Sequence, residues 1–157
     1  MVDFAGWSMP VQYHSIVEEH QATRKAVGLF DISHMGRLRL DGRDAGRFLD
    51  GLLTRRVIDL PAGRIRYSLV TRDDGGILDD VLVYRLQPTA GAAFYWMVVN
   101  ASNREKIVAW LSTHSNGVSI IDDTAGTAMI AVQGPKAIDL MQPFVRTPAP
   151  LSDMRYY

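Results

Sequence analysis

Residues 75–84 read Gly-Gly-Ile-Leu-Asp-Asp-Val-Leu-Val-Tyr, a run of strand formers with two adjacent carboxylates set inside it. In a pleated strand, neighbours point to opposite faces. Ile77, Asp79, Val81 and Val83 then share one face, and Leu78, Asp80, Leu82 and Tyr84 share the other. Each carboxylate has apolar partners two residues away, so at least one Asp sits on a largely apolar face. A carboxylate there has to be hydrogen-bonded, paired or engaged with a ligand. A strand-end Asp that bonds to nearby backbone amides meets that need as well as a working site does.

Periodicity sets the neighbours of this strand. Residues 14–27 form an amphipathic helix, with Ser15 and Glu18 placed for a capping box and Gly28 placed to end it. Residues 29–33 and 37–40 read as strands, and residues 44–53 carry Ala45, Phe48, Leu49 and Leu52 at helical spacing before the break at Pro61-Ala62-Gly63. Residues 64–71 and 77–86 are strands joined by Asp73-Asp74-Gly75-Gly76, strong hairpin punctuation. An aromatic strand at 94–100 leads to a helix opened by a Ser102/Glu105 capping box, striped by Ile107, Val108 and Leu111, and ended near Asn116-Gly117. A strand follows at 118–121. Further strands are expected at 129–132 and, just beginning, at 155–157, with Pro135 at the first position of a short helix running to about Phe144. Between residues 36 and 122 the order is close to a βαββαβ ferredoxin-like unit with one additional strand.

Composition narrows function by exclusion. In 157 residues, Lys plus Arg and Asp plus Glu number 17 each, so no basic field recruits nucleic acid or anionic membrane. The absence of cysteine excludes disulfides, thiolate nucleophiles and Cys-ligated zinc from this chain. His14, His20, His34 and His114 have no paired spacing suited to a metal site, and no metal is expected. No membrane-spanning segment is visible. Met1 opens directly into patterned sequence without a leader, so a cytoplasmic location is expected.

Several short motifs follow one another in a specific order. They are Met-Val-Asp-Phe-Ala-Gly-Trp-Ser-Met-Pro-Val-Gln-Tyr at 1–13, Leu-Phe-Asp-Ile-Ser-His-Met at 29–35, Arg-Tyr-Ser-Leu-Val at 66–70, Gly-Gly-Ile-Leu-Asp-Asp at 75–80, Val-Val-Asn-Ala at 98–101 and Ala-Val-Gln-Gly-Pro at 131–135. Together they resemble the N-terminal portion of the aminomethyltransferase (T-protein) of the glycine cleavage system. The resemblance implies a chain that continues beyond residue 157. It also implies an α+β fold in which residues 38–123 form the ferredoxin-like antiparallel unit, inserted in a split, incomplete folate-binding domain made of 1–37 and 124–157. The implied activity is transfer of a one-carbon unit from an aminomethyl group on the lipoyl arm of H-protein to tetrahydrofolate, with release of ammonia. Tetrahydrofolate is then the co-substrate and lipoylated H-protein the partner.

By the same resemblance, Asp80 faces the folate nitrogens where the carbon bridge forms and is the catalytic candidate. A carboxylate on an apolar wall can position amines, balance an iminium and handle a proton. Asp79, pointing the other way, is expected to satisfy backbone or turn groups. Met35, Tyr67, Leu82, Val98 and Asn100 are implied walls of the folate pocket: a thioether and an aromatic ring for ring faces, an amide for paired hydrogen bonds. Read alone, Met35, Leu82 and Val98 are ordinary core residues, Tyr67 a half-buried strand aromatic and Asn100 a helix cap. His34 is read as structural, and Trp7 and Tyr13 as packing residues. By the resemblance, contacts to the folate tail and pterin edge also come from Arg and Glu residues beyond a Tyr-Thr-Gly-Glu region, a motif absent from these 157 residues, so this portion alone is expected to be weak or inactive. Two relatives share the scaffold and stay open as alternatives: a non-catalytic folate-binding protein of iron–sulfur cluster maintenance, and the folate domain of sarcosine or dimethylglycine oxidases.

Overall fold

Strand formers dominate residues 36–122, and their pairing settles where each side chain points. The structure, a computed structural model, describes residues 1–156 and divides them into two units, His34–Thr127 and Met1–Ser33 with Ala128–Tyr156. In chain order the elements are β1 (Val2–Phe4), β2 (Trp7–Met9), α1 (Ile16–Lys25), β3 (Gly28–Asp31), β4 (Gly36–Asp41), α2 (Ala45–Asp50) and β5 (Ile65–Thr71). They continue with β6 (Ile77–Leu86), β7 (Phe94–Val99), α3 (Arg104–His114), β8 (Ser119–Asp122), β9 (Ile130–Gln133) and α4 (Ala137–Met141).

Unit His34–Thr127 is built on one five-stranded sheet in the order β5-β6-β7-β4-β8, with every neighbouring pair antiparallel. Alternation gives the sheet two different faces. Leu38, Leu40, Val70, Val81, Val83, Tyr95, Met97 and Val99 are buried in one cluster with Ala45 and Leu49 of α2 and Ile107 and Leu111 of α3. This is the core, and the helices lie on that side of the sheet. The β5–β6 hairpin turns where expected: Gly75 N donates to Arg72 O and Arg72 N donates to Gly76 O, both at 2.9 Å. Gly75 sits at φ +83°, a conformation that a Cβ would strain. Arg104 at the start of α3 donates from Nε to Asp122 Oδ2 at 2.7 Å, fastening the helix to β8.

Unit Met1–Ser33 with Ala128–Tyr156 holds the β1–β2 hairpin and the antiparallel β3–β9 pair. The hairpin was not legible as such. Its turn is Ala5-Gly6, both at positive φ (52° and 81°), and Ala lacks the usual turn signature. Ser15 caps α1 by accepting from Glu18 N, yet the reciprocal carboxylate is Glu19, not Glu18: Glu19 Oε1 accepts from the amides of Tyr13, His14 and Ser15 at 2.9, 2.7 and 3.1 Å. Glu18 pairs with His14 instead. The helix stops at Lys25 with Ala26 as its cap, and Gly28 opens β3 rather than ending α1.

Other expectations also shift. No Ser102/Glu105 box forms; residues 101–103 make a 3-10 turn and α3 begins at Arg104 without a local side-chain cap. Pro135 precedes α4 instead of starting it, and a 3-10 turn at Gln142–Phe144 completes that segment. Tyr13 is 84% exposed, so it is not a packing residue, whereas Trp7, at 36%, has most of its surface covered. Of the strand expected at 155–157, Arg155 and Tyr156 are not in a strand and Tyr157 lies outside the described residues.

Two outcomes test this packing. Leu111→Ala removes a fully buried side chain and should cost about 2–5 kcal/mol of unfolding free energy by denaturant titration. Burial pushes the Asp122 carboxyl up, but hydrogen bonds from Thr124 and Arg104 together bring it below the usual range. A depressed carboxylate contributes stability above its unfolded pKa and loses it as pH falls through the folded one. Acid titration of stability should therefore show a loss below about pH 4, and Asp122→Asn should flatten it.

Candidate functional site

Strand β6 sends its two carboxylates through opposite sides of the sheet. Asp79 follows Val81 and Val83 into the core side and is 3% exposed, whereas Asp80 is exposed on the other face with Leu82 and Tyr84. A buried carboxylate needs donors. Asp79 Oδ2 accepts from the backbone N–H of Asn100 at 2.9 Å, and Oδ1 accepts from Asn100 Nδ2 at 2.8 Å and Asn103 Nδ2 at 2.6 Å. Asn100 is thus not itself the side-chain cap of the following turn. Asp79 takes the backbone N–H of Asn100 itself, and α3 begins without a side-chain cap.

Register brings the six candidates together. Tyr67 of β5 is paired with Leu82 of β6, Leu82 with Val98 of β7, and Val98 with Arg37 of β4. Leu69 is paired with Asp80, and two residues on along the β6–β7 register Asp80 faces Asn100. The residue before β4, Met35, falls beside Asn100 by the β4–β7 register. Two adjacent rows on one sheet face, opposite the helices, therefore carry Asp80, Asn100 and Met35 in one and Tyr67, Leu82 and Val98 in the other. Tyr67 is 43% exposed, Asp80 exposed, Met35, Leu82 and Asn100 half-buried, and Val98 buried.

Asn100 is the hinge of this cluster. Its Nδ2 donates to Asp79 Oδ1, to Asp80 Oδ1 at 2.9 Å and to Asp80 O at 3.2 Å, so one amide bridges both carboxylates across the sheet. Tyr67, in the adjacent row, feels both carboxylates: partial burial, then the Asp80 charge, hydrogen bonding to Asp80 and the Asp79 charge, raise its phenol above the usual tyrosine range. The face can offer a flat ligand apolar walls, an aromatic ring, an amide and one accessible carboxylate.

Sequence reasoning missed two residues that shape the site. Asn103 holds Asp79 from the helix side, and its signal was an Asn at i+3 from Asn100 just before a helix. Arg37 is buried at the end of β4: its Nη1 donates to Met35 O at 2.7 Å, its Nε to Thr127 Oγ1 at 2.7 Å and its Nη2 to Thr124 O and Thr127 O. It fixes the backbone that presents Met35. An Arg in a strand otherwise reads as a solvent-facing residue, and nothing local signalled its burial. His34 is half-buried. Among the described residues, no group of three or more His, Asp or Glu converges as a metal site, and no helix is long and apolar enough to cross a membrane.

Tyr67 gives a direct check on this electrostatic arrangement. Its ionisation, isolated by subtracting a Tyr67→Phe titration followed by ultraviolet absorbance, should occur above that of an exposed tyrosine. Asp80→Asn should move it back down, because the nearest charge opposing phenolate is gone; an unchanged midpoint would separate the two side chains.

Comparison with known proteins adds the family. Residues 1–157 match the family described as GCVT N-terminal domain. An aminomethyltransferase of Thermotoga maritima is 46% identical over 161 residues, covering 100% of this chain and 42% of that protein. One of Bdellovibrio bacteriovorus is 47% identical over 140 residues, covering 89% of this chain and 38% of its own. The crystal structure of glycine cleavage system aminomethyltransferase T from Bartonella henselae aligns with a TM-score of 0.77 at 34% identity, over 89% of this chain and 38% of that one. The chain spans about two fifths of the length of the curated relatives it matches. A match along the whole chain, with relatives this similar, means that the chain belongs to the GCVT N-terminal domain family.

Proposed function

We propose that this chain contributes the folate-binding and reacting face of an aminomethyltransferase, which moves a one-carbon unit from an aminomethyl group on lipoylated H-protein to tetrahydrofolate and releases ammonia. The observation that carries the reading is one exposed carboxylate, Asp80, held by Asn100 on a face otherwise lined by Tyr67, Leu82, Val98 and Met35. A reduced pterin is flat, with apolar ring faces and an edge of N–H donors and acceptors. The face fits it in kind: ring contacts from Tyr67 and Met35, apolar contacts from Leu82 and Val98, edge hydrogen bonding from Asn100. Asp80 is the catalytic residue in this reading. Its charge favours the iminium that forms as ammonia leaves, and its oxygens can hold or pass the proton of the attacking amine.

The same reading takes the unit His34–Thr127 as ferredoxin-like. With β5 set aside as an added edge, the order β6-β7-β4-β8 and the two helices follow the βαββαβ pattern. Residues 1–37 with 124–157 then form the flanking folate-binding domain around 38–123. A cytoplasmic setting accords with the reaction.

Catalysis is best tested in a chimera in which residues 1–157 replace the matching segment of the Thermotoga maritima relative. Asp80→Asn keeps shape and removes charge, and kcat for ammonia release from lipoylated H-protein should fall roughly 10²- to 10⁴-fold. Tyr67→Ala and Asn100→Ala should each weaken tetrahydrofolate binding by about 1–3 kcal/mol in calorimetric titration. Full activity of the Asp80 variant would remove that carboxylate from the chemistry, and unchanged affinity in both others would return them to a structural role.

A further inference from the structure

Asp79 is not needed for charge complementarity on the ligand face, because it lies on the other side of the sheet. What it holds is nevertheless part of that face. A side-chain amide can turn by half a revolution at little cost in shape, exchanging donor and acceptor. At Asn100 this choice is closed. The atom within 2.8 Å of Asp79 Oδ1, 2.9 Å of Asp80 Oδ1 and 3.2 Å of Asp80 O meets acceptors only, so it is Nδ2. With Nδ2 committed to both carboxylates, Oδ1 is the outward atom, and no donor among the described residues stands on it.

Asp79 is itself held. The Asn100 backbone amide fixes Oδ2, and Asn103 Nδ2 fixes Oδ1. Asn103 is set in turn by Lys106 of α3, whose Nζ donates to Asn103 Oδ1 at 2.8 Å, so that amide has its acceptor facing the cation and its donor facing Asp79. The result is a continuous row, Lys106–Asn103–Asp79–Asn100–Asp80, with the orientation of both amides determined. Asp80 alone cannot do this. It is exposed and its carboxylate can rotate into water, whereas Asp79 is buried and anchored.

We propose that Asp79 is a positioning residue, locking the Asn100 carboxamide with its amino group on Asp80 and its carbonyl oxygen presented as an acceptor to a ligand N–H. The proposal rests on the folate reading for the ligand's identity, and on the hydrogen-bond row for the lock. Without the buried carboxylate, Asn100 loses one of two charged acceptors, its amide samples both orientations, and Asp80 loses a fixed partner.

The test uses the chimera in which residues 1–157 replace the matching segment of the Thermotoga maritima relative, so that the rest of the folate contacts are present. In the wild type, nitrogen-resolved NMR should find the Asn100 side-chain amide protons exchanging with water about tenfold or more slower than an exposed amide, a signature independent of any ligand. Titration with tetrahydrofolate should show Asp79→Asn weakening affinity about tenfold or more, with Asn103→Ala intermediate. Leu111→Ala, in the core cluster of the same unit and not a member of the row, supplies the comparison for stability alone and should bind as the wild type does below its unfolding temperature. A freely exchanging Asn100 amide would overturn the proposal, as would an Asp79→Asn affinity no different from that of Leu111→Ala. Should Asp79→Asn fail to fold, the wild-type exchange and Asn103→Ala decide alone. A protected Asn100 with no wild-type binding would refute the folate reading and remove the ligand role of the lock with it.

Discussion

A carboxylate cannot be left alone in a protein interior, and satisfying Asp79 organises much of what surrounds it. Alternation in β6 puts this side chain on the core side of the sheet, where burial of an unpaired charge would cost several kcal/mol. The remedy comes from the chain leaving β7: the Asn100 amide and the Asn100 and Asn103 side chains converge on the two oxygens. That convergence sets how β7 gives way to the 3-10 turn and to α3. It also brings Asn100 beside Asp80 on the opposite face, so one buried charge joins the core to the surface that carries the candidate chemistry.

The sheet supplies the rest by register alone. Antiparallel pairing of β5, β6, β7 and β4 lines up Tyr67, Leu82 and Val98 in one row and Asp80 and Asn100, with Met35 beyond the start of β4, in the next. A slip of one residue in β6 would send Asp80 into the core and Asp79 to the surface. The core side therefore protects the site: Val81 and Val83 must face α2 and α3, and while they do, Asp80 must face away. Arg37 acts similarly at the edge of the site, its guanidinium holding the Met35 carbonyl and residues Thr124 and Thr127 at once.

Much of this was legible in the sequence because it depends on local pattern. The two-residue period of 77–86, the Asp-Asp-Gly-Gly turn and the stripe of α3 report directly on strands, hairpin and core, and the two faces of β6 follow from counting. What was not legible depends on partners distant in sequence. The Ser102/Glu105 box is sound by local pattern, yet residues 101–103 turn as a 3-10 segment and α3 starts only at Arg104, while Asn100 and Asn103 on either side are held by Asp79, more than twenty residues upstream. Glu18 and Glu19 offer equivalent carboxylates to the start of α1, and backbone geometry chose the second. The Ala5-Gly6 turn and the burial of Arg37 carry no local signal at all. Placing the candidate residues on one face needed the register of four strands, and the family resemblance rather than periodicity selected them.

The account turns on which side of the five-stranded sheet meets the ligand. Tetrahydrofolate titrated into the isotopically labelled chimera with the Thermotoga maritima relative, followed by chemical-shift changes resolved by residue, reads this directly. Saturable changes at Met35, Tyr67, Leu82, Val98 and Asn100, with Ile107 and Leu111 unmoved on the helix side, are what the account predicts. Saturable changes centred on the helix side, or no saturable binding to this face, would contradict it.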